Sequence, residues 1–404
     1  MTSSKTPASL LAKTEEPGTL LSGQDETKEL CTIHGVQVRI KPSEKEKVEK
    51  LLGALEAIPT GRTALKTLQE DKTTLSFDSA LDTKGAYYPD KNEIVLNDAL
   101  LNMDSMKFVL VHEARHRKQS SLGKDKCRQQ RLDAASDLMI GRAIEADADV
   151  EALIACKEWE ALGDKGPLEE LAKGRKAMVE AYNKTHSLSD AFKAWYADEL
   201  TVGKYERLYG ILPYMSKMKR LDKNPYKWRF PLVSAEPKDI APFCGADRVE
   251  GFEEFLNSDQ ARQVHAQTKT VFELYNLLRE AKGLKPDTSI QGIPTRDLTN
   301  NPEAKTQADA LIAQAFKDFN LNSDNGTEGF RSHIADAFNA VKKINNACFK
   351  GSRDNEAEKE LETAKKNFFA HITGKKEQKH TNTPANTPLF QSFLAIKGKN
   401  SRHN

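Results

Sequence analysis

The sequence predicts an α+β fold that is predominantly helical. Short apolar runs bounded by turn residues cluster before residue 98, and beyond it apolar residues recur at helical spacing almost to the end. A length of 404 residues suffices for one large or two ordinary domains.

The elements follow in order. Residues 1–30, rich in Ser, Thr, Lys and Glu, read as a flexible arm. VQVRI (36–40) is a strand, and KPSEKEKVEKLLGALEAIP a helix with Ser43 and Glu46 spaced as a capping box. GRTALKTLQED is a second short helix. TTLSFD (73–78), AYY (86–88) and EIVLN (93–97) are strands, with PDKN (89–92) turning between the last two. Helices follow at about 104–120, 128–161 and 166–218, the last with Ser189 or Asp190 as an internal cap. Four prolines mark 221–250 as a linker or long loop. Helical patterns return at 251–283, 302–319, 328–349 and 354–372, with Asn301 and Pro302 as N-cap and first-turn proline. A basic tail, 374–404, is expected to be disordered. The domain plan is therefore an arm (1–30), a domain at 31–220, a linker (221–250), a helical region (251–373) and the tail.

Composition removes several function classes. Sixty-one basic and 59 acidic residues leave a net charge of +2, which does not call for nucleic acid. Cys31, Cys127, Cys156, Cys244 and Cys348 are odd in number and form no CxxC pair, so neither a disulfide framework nor a cysteine zinc knuckle is expected. The N-terminus lacks the apolar core of a secretory signal and no run is long enough to span a bilayer. A cytoplasmic location is the expectation, with signal-less secretion as an effector the other route.

The chemistry concentrates in FVLVHEARHRKQ (108–119). On a helix, Val109, His112, Glu113 and His116 fall within about 100° of arc, and the two imidazoles lie one turn apart. Two neutral nitrogen donors and one neighbouring carboxylate are what HExxH metal hydrolysis requires. Arg115, Arg117 and Lys118 also fit the plainer reading of a charged, exposed helix end. A catalytic metal needs a third protein ligand, and AIEADADVEA (143–152) offers Glu145 and Asp149 on one face. One carboxylate could ligate while Asp149 takes the second N–H of an imidazole. A solvated acidic face of Asp147, Asp149 and Glu151 is the competing reading; the alanines at 143, 146, 148 and 152 argue for close helix packing instead.

HEARHRKQ followed about thirty residues on by EADAD resembles the gluzincin metallopeptidases, and in particular small bacterial metallopeptidases with an HExRHxxQ…EADA signature. The likeness covers about residues 70–215 and implies a compact zincin-like core of a small sheet plus active-site helices, occupying the 31–220 domain. It implies that His112, His116 and Glu145 bind Zn2+, that Glu113 is the general base, and that a zinc-bound water attacks a peptide bond of a protein or peptide substrate. For the oxyanion donor, Tyr205 is the first choice and His186 the second. Trp195, Tyr196, Tyr205 and Tyr209 equally suit core packing. A substrate strand would add to the sheet edge, expected at EIVLN. The alternative is a helical interaction or effector protein with an inactive zincin-like core.

DFNLNSDNGTEG (318–329) lacks the Gly and Glu of a calcium loop and reads as a polar turn. His34, His265, His333, His371, His380 and His403 are scattered and read as structural or exposed.

Overall fold

Alternation sets the strands. In Val36–Ile40 (β2) the side chains of Val36, Val38 and Ile40 point inward and are at most 2% exposed, while Arg39 faces out. In this computed structural model, residues 27–318, 336, 337, 339–341, 343, 344, 346, 347 and 352–373 are described. The arm up to residue 26, the polar turn after Asp318, part of the 328–349 pattern and the basic tail lie outside them. The described residues are mostly helical and carry one five-stranded sheet, an α+β fold. None of their helices is long and apolar enough to cross a membrane.

The chain divides into two units, one of Met1–Leu122 and Ala148–Lys173, the other of Gly123–Asp147 and Gly174–Asn404. The first holds the sheet, with Glu29–Ile33 (β1), Thr74–Phe77 (β3), Gly85–Tyr88 (β4) and Glu93–Leu96 (β5) in the order β1-β2-β3-β5-β4. Its centre, β2-β3-β5, is parallel; β1 and β4 pair antiparallel at the two ends. EIVLN is therefore interior, not an edge: Leu75 lies opposite Ile94 on one side and Tyr87 on the other. Its apolar run is what a strand buried between two partners requires, and Gly85–Tyr88 is the edge. Asn92, at φ 50°, closes the β4–β5 turn and donates to Asp71 O at 2.8 Å.

Against this sheet lie Lys45–Glu56 (α1) and Pro59–Glu70 (α2), burying Val48, Leu51, Leu52, Leu55, Leu65 and Leu68. Each such side chain contributes about 1.5–3 kcal/mol. The capping box at the start of α1 lies earlier than Ser43 and Glu46. The Lys41 N–H donates to Glu44 Oε2 at 2.9 Å, because Pro42 opens a 3-10 turn that already contains Ser43. Met103–Ser121 (α3) starts on Asn102, whose Oδ1 accepts from Ser105 N at 2.8 Å.

A short helix, Lys124–Arg128 (α4), precedes Ala134–Ala161 (α5), which begins where Asp133 Oδ1 accepts from Ser136 N. Every residue from 140 to 150 is buried, which the small side chains of Ala143, Ala146 and Ala148 permit.

In the second unit, Lys176–Thr185 (α6) ends at His186, which takes the left-handed conformation with φ 56°. The next helix, Leu188–Ala197 (α7), is capped by Ser187, whose Oγ accepts from Asp190 N at 3.1 Å, rather than by Ser189 or Asp190. Asp198 caps Glu199–Tyr205 (α8), which runs into a π-helix, Glu206–Ile211, and then Leu212–Lys223 (α9). The stretch 221–250 holds the end of α9, a 3-10 turn at Pro225–Trp228 and a short helix at Pro237–Ile240. The core here joins Ile211, Tyr214, Met215 and Met218 to Val271, Phe272 and Tyr275 of Ala266–Ala281 (α10), with Phe368 beside them.

Candidate metal centre

Helical spacing stacks His112 and His116 on α3, with Nε2 atoms 3.0 Å apart and rings crossing at 89°. Each ring is held from behind. His112 Nδ1 lies 3.0 Å from Asp149 Oδ1, and His116 Nδ1 lies 2.8 Å from Gln119 Oε1. A carboxylate and an amide oxygen both accept, so each Nδ1 carries the proton and each neutral ring leaves a lone pair on Nε2. Two lone pairs facing each other at 3.0 Å repel unless a cation or an added proton lies between them. Together with Glu145, these groups offer ligand atoms all within 4.8 Å of one another. His112 is half-buried; His116 and Glu145 are buried. Two nitrogens and a carboxylate, oriented by outer partners, fit a divalent ion.

Asp147 and Asp149 do not belong to a solvated face, while Glu151 beside them is half-buried. Arg142, Glu145, Asp147 and Asp149 are each at most 6% exposed. Asp147 meets Arg248 at 2.5 Å, Asp149 meets His112, and Arg142 Nη2 donates to Glu206 Oε1 at 2.6 Å. Burial pulls the Arg142 guanidinium down to about 10, against the pull of Glu206, which leaves it charged at neutral pH. Burial alone would raise the Glu206 carboxyl. The charges of Arg296, Arg142 and His265 and the Thr268 hydroxyl outweigh it and hold that carboxyl below the usual range.

Glu113 is buried, with its carboxylate against the edge strand. A Cβ built on Gly85 would come within 3.0 Å of Glu113 Oε1 and 2.7 Å of Val109 Cγ1. Only glycine lets β4 run this close to α3.

Of the two residues considered for the oxyanion, Tyr205 accepts a hydrogen bond from Arg175 Nη2 at 3.1 Å and stacks on Trp195. His186 is exposed at the end of α6, edge-on to Tyr182. Two further contacts have no counterpart in the sequence reading. Gln119 orients His116, a role its i+3 spacing could have suggested. Tyr209, grouped there only with packing aromatics, donates its hydroxyl to Glu145 Oε1 at 2.5 Å. The available signal for Tyr209 was Gly141, one turn before Glu145, which leaves room on α5 for a ring.

Residues 25–219 match the model of a family described as "Putative metallopeptidase family (DUF6782)". The match supports a metal-dependent peptidase and takes in just under half of the chain, including α3, α5 and the π-helix. No curated protein and no solved structure gives a match. This metallopeptidase-like region thus contains His112, Glu113, His116, Glu145, Asp149 and Tyr209.

Proposed function

We propose that the chain is a zinc-dependent peptidase of gluzincin type, in which His112, His116 and Glu145 hold the ion and Glu113 is the general base. The observation that carries this is the pair of Nε2 atoms 3.0 Å apart, each backed by an acceptor at Nδ1, with Glu145 alongside. Two imidazole nitrogens at that spacing with a carboxylate beside them are a donor set that would hold zinc. Mixed imidazole and carboxylate donors favour zinc over magnesium or calcium.

A bound zinc supplies Lewis acidity and makes water a competent nucleophile near neutral pH. Glu113 takes the proton from the attacking water and returns it to the leaving amine. Asp149 and Gln119 fix both imidazoles in the tautomer that presents Nε2. An extended peptide adds to the outer edge of β4, where backbone hydrogen bonds are sequence-tolerant and Gly85 brings the strand against Glu113.

The test pairs metal analysis with turnover of unfolded casein. About one zinc per chain is expected, lost in His112→Ala, while Glu113→Gln keeps zinc and loses at least about 10²-fold in hydrolysis. A wild-type chain that takes up no zinc after reconstitution would overturn the proposal.

A further inference from the structure

Tyr209 lies on the π-helix, and three separate contacts fix where its hydroxyl points. Its ring sits over Gly141, where an added Cβ would come within 2.5 Å of Cγ. The Arg128 guanidinium lies 5.1 Å above the ring, and Tyr205 stacks nearly parallel at 6.1 Å. The phenol then donates to Glu145 Oε1 at 2.5 Å.

The π-helix itself is pinned three residues earlier. Glu206 is fully buried and accepts from Arg142 at 2.6 Å, His265 N at 3.0 Å and Thr268 Oγ1 at 2.7 Å, with Arg296 Nη2 at 3.0 Å. Arg142 and Glu145 are three apart on α5, as Glu206 and Tyr209 are on the π-helix. Two rungs therefore join the segments, one ionic and one phenol to carboxylate. A six-residue π turn is rare, and it changes the angular offset between positions 206 and 209 relative to an α-helix.

We infer that Tyr209 is a positioning residue for the metal, holding the Glu145 carboxylate in its ligand orientation, with the Arg142–Glu206 rung setting the register of the segment that carries it. The inference rests on the zinc reading and assigns Tyr209 a task distinct from contact with substrate. A glutamate side chain has three rotatable bonds, and a donor held on one oxygen removes much of that freedom before the ion arrives.

The experiment measures zinc affinity of the full-length chain by competition with a chromophoric chelator, and the visible spectrum of the cobalt-substituted chain. Tyr209→Phe keeps the ring and removes only the donor. Gly141→Ala keeps the phenol but displaces the ring, and each variant is read only where its circular dichroism matches that of the wild type. Zinc affinity about 10–100-fold weaker in either variant, with an altered cobalt spectrum, is expected. Tyr205→Phe, whose hydroxyl is bonded to Arg175, should leave both readouts unchanged. Wild-type affinity and spectrum in Tyr209→Phe would overturn the inference, as would an equal loss in Tyr205→Phe, which would show that the effect does not depend on the bond from Tyr209 to Glu145. A wild-type chain without zinc affinity would bring down the peptidase reading beneath it, a separate and recognisable outcome.

Discussion

Alanine at position 141 sets two effects against each other on one helix. In the interior of α5, Gly→Ala ordinarily stabilises by about 0.5–1 kcal/mol through backbone entropy. Here the new Cβ would lie 2.5, 2.8 and 2.9 Å from Tyr209 Cγ, Cβ and Cδ1. The ring has no easy retreat, since Tyr205, Arg128 and Glu145 hold it from other directions. Overpacking costs about 1–3 kcal/mol, and losing a hydrogen bond to a charged group about 1.5–3 kcal/mol. The net is a destabilisation of about 2–5 kcal/mol. Urea unfolding followed by tryptophan fluorescence measures it. Gly53, inside α1, is the internal control: its nearest neighbours to an added Cβ are His34 ring atoms at 3.9 Å, so Gly53→Ala should gain about 0.5–1 kcal/mol. A Gly141→Ala chain as stable as wild type would show that the Tyr209 ring is not seated on α5, and would refute the reasoning.

Two other measurements bear on the same structure. Glu206→Gln leaves Arg142 and Arg296 buried against a neutral group and should cost about 3–5 kcal/mol by urea unfolding. Because the folded Glu206 carboxyl is held below its ordinary value, its stabilisation is complete above the unfolded carboxylate range and is lost as pH falls through the lower folded value. Urea midpoints taken from pH 7 downward should therefore fall less steeply in the variant than in wild type; parallel profiles would contradict the assignment. Alkylation mapped by mass spectrometry should modify Cys31 and Cys127 in the native chain and spare Cys156 and Cys244, which are buried. Burial also pushes the Cys156 thiol well above the usual range. Rapid native labelling of Cys156 would show α5 to be open.

Much of this architecture was legible because short-range rules govern it. Turn residues at 89–92 and alternating runs located four of the five strands, and i,i+4 spacing brought His112 to His116 and Glu145 to the turn of Asp149. What failed depended on distant partners. Nothing local in EIVLN says that Thr74–Phe77 will cover one side of it, so the edge fell to the wrong strand. The Ser187 cap follows from where His186 adopts φ 56°, a choice made by backbone conformation rather than by residue type. Tyr209 meets Glu145 across 64 positions of sequence, through a π turn that no periodicity announces.

The cluster around Glu206 also bears on how far the metallopeptidase-like region can stand alone. The match ends at residue 219, yet Arg296, His265 and Thr268 come from beyond it, and so do the Ala261 and Gln263 carbonyls that receive Arg142. A chain cut at that boundary would keep every candidate ligand while exposing a carboxylate and a guanidinium stripped of most of their partners. Residues 25–219 grafted alone onto another protein should therefore carry the HExxH motif without its geometry, because the π turn that bears Tyr209 rests on partners beyond residue 219.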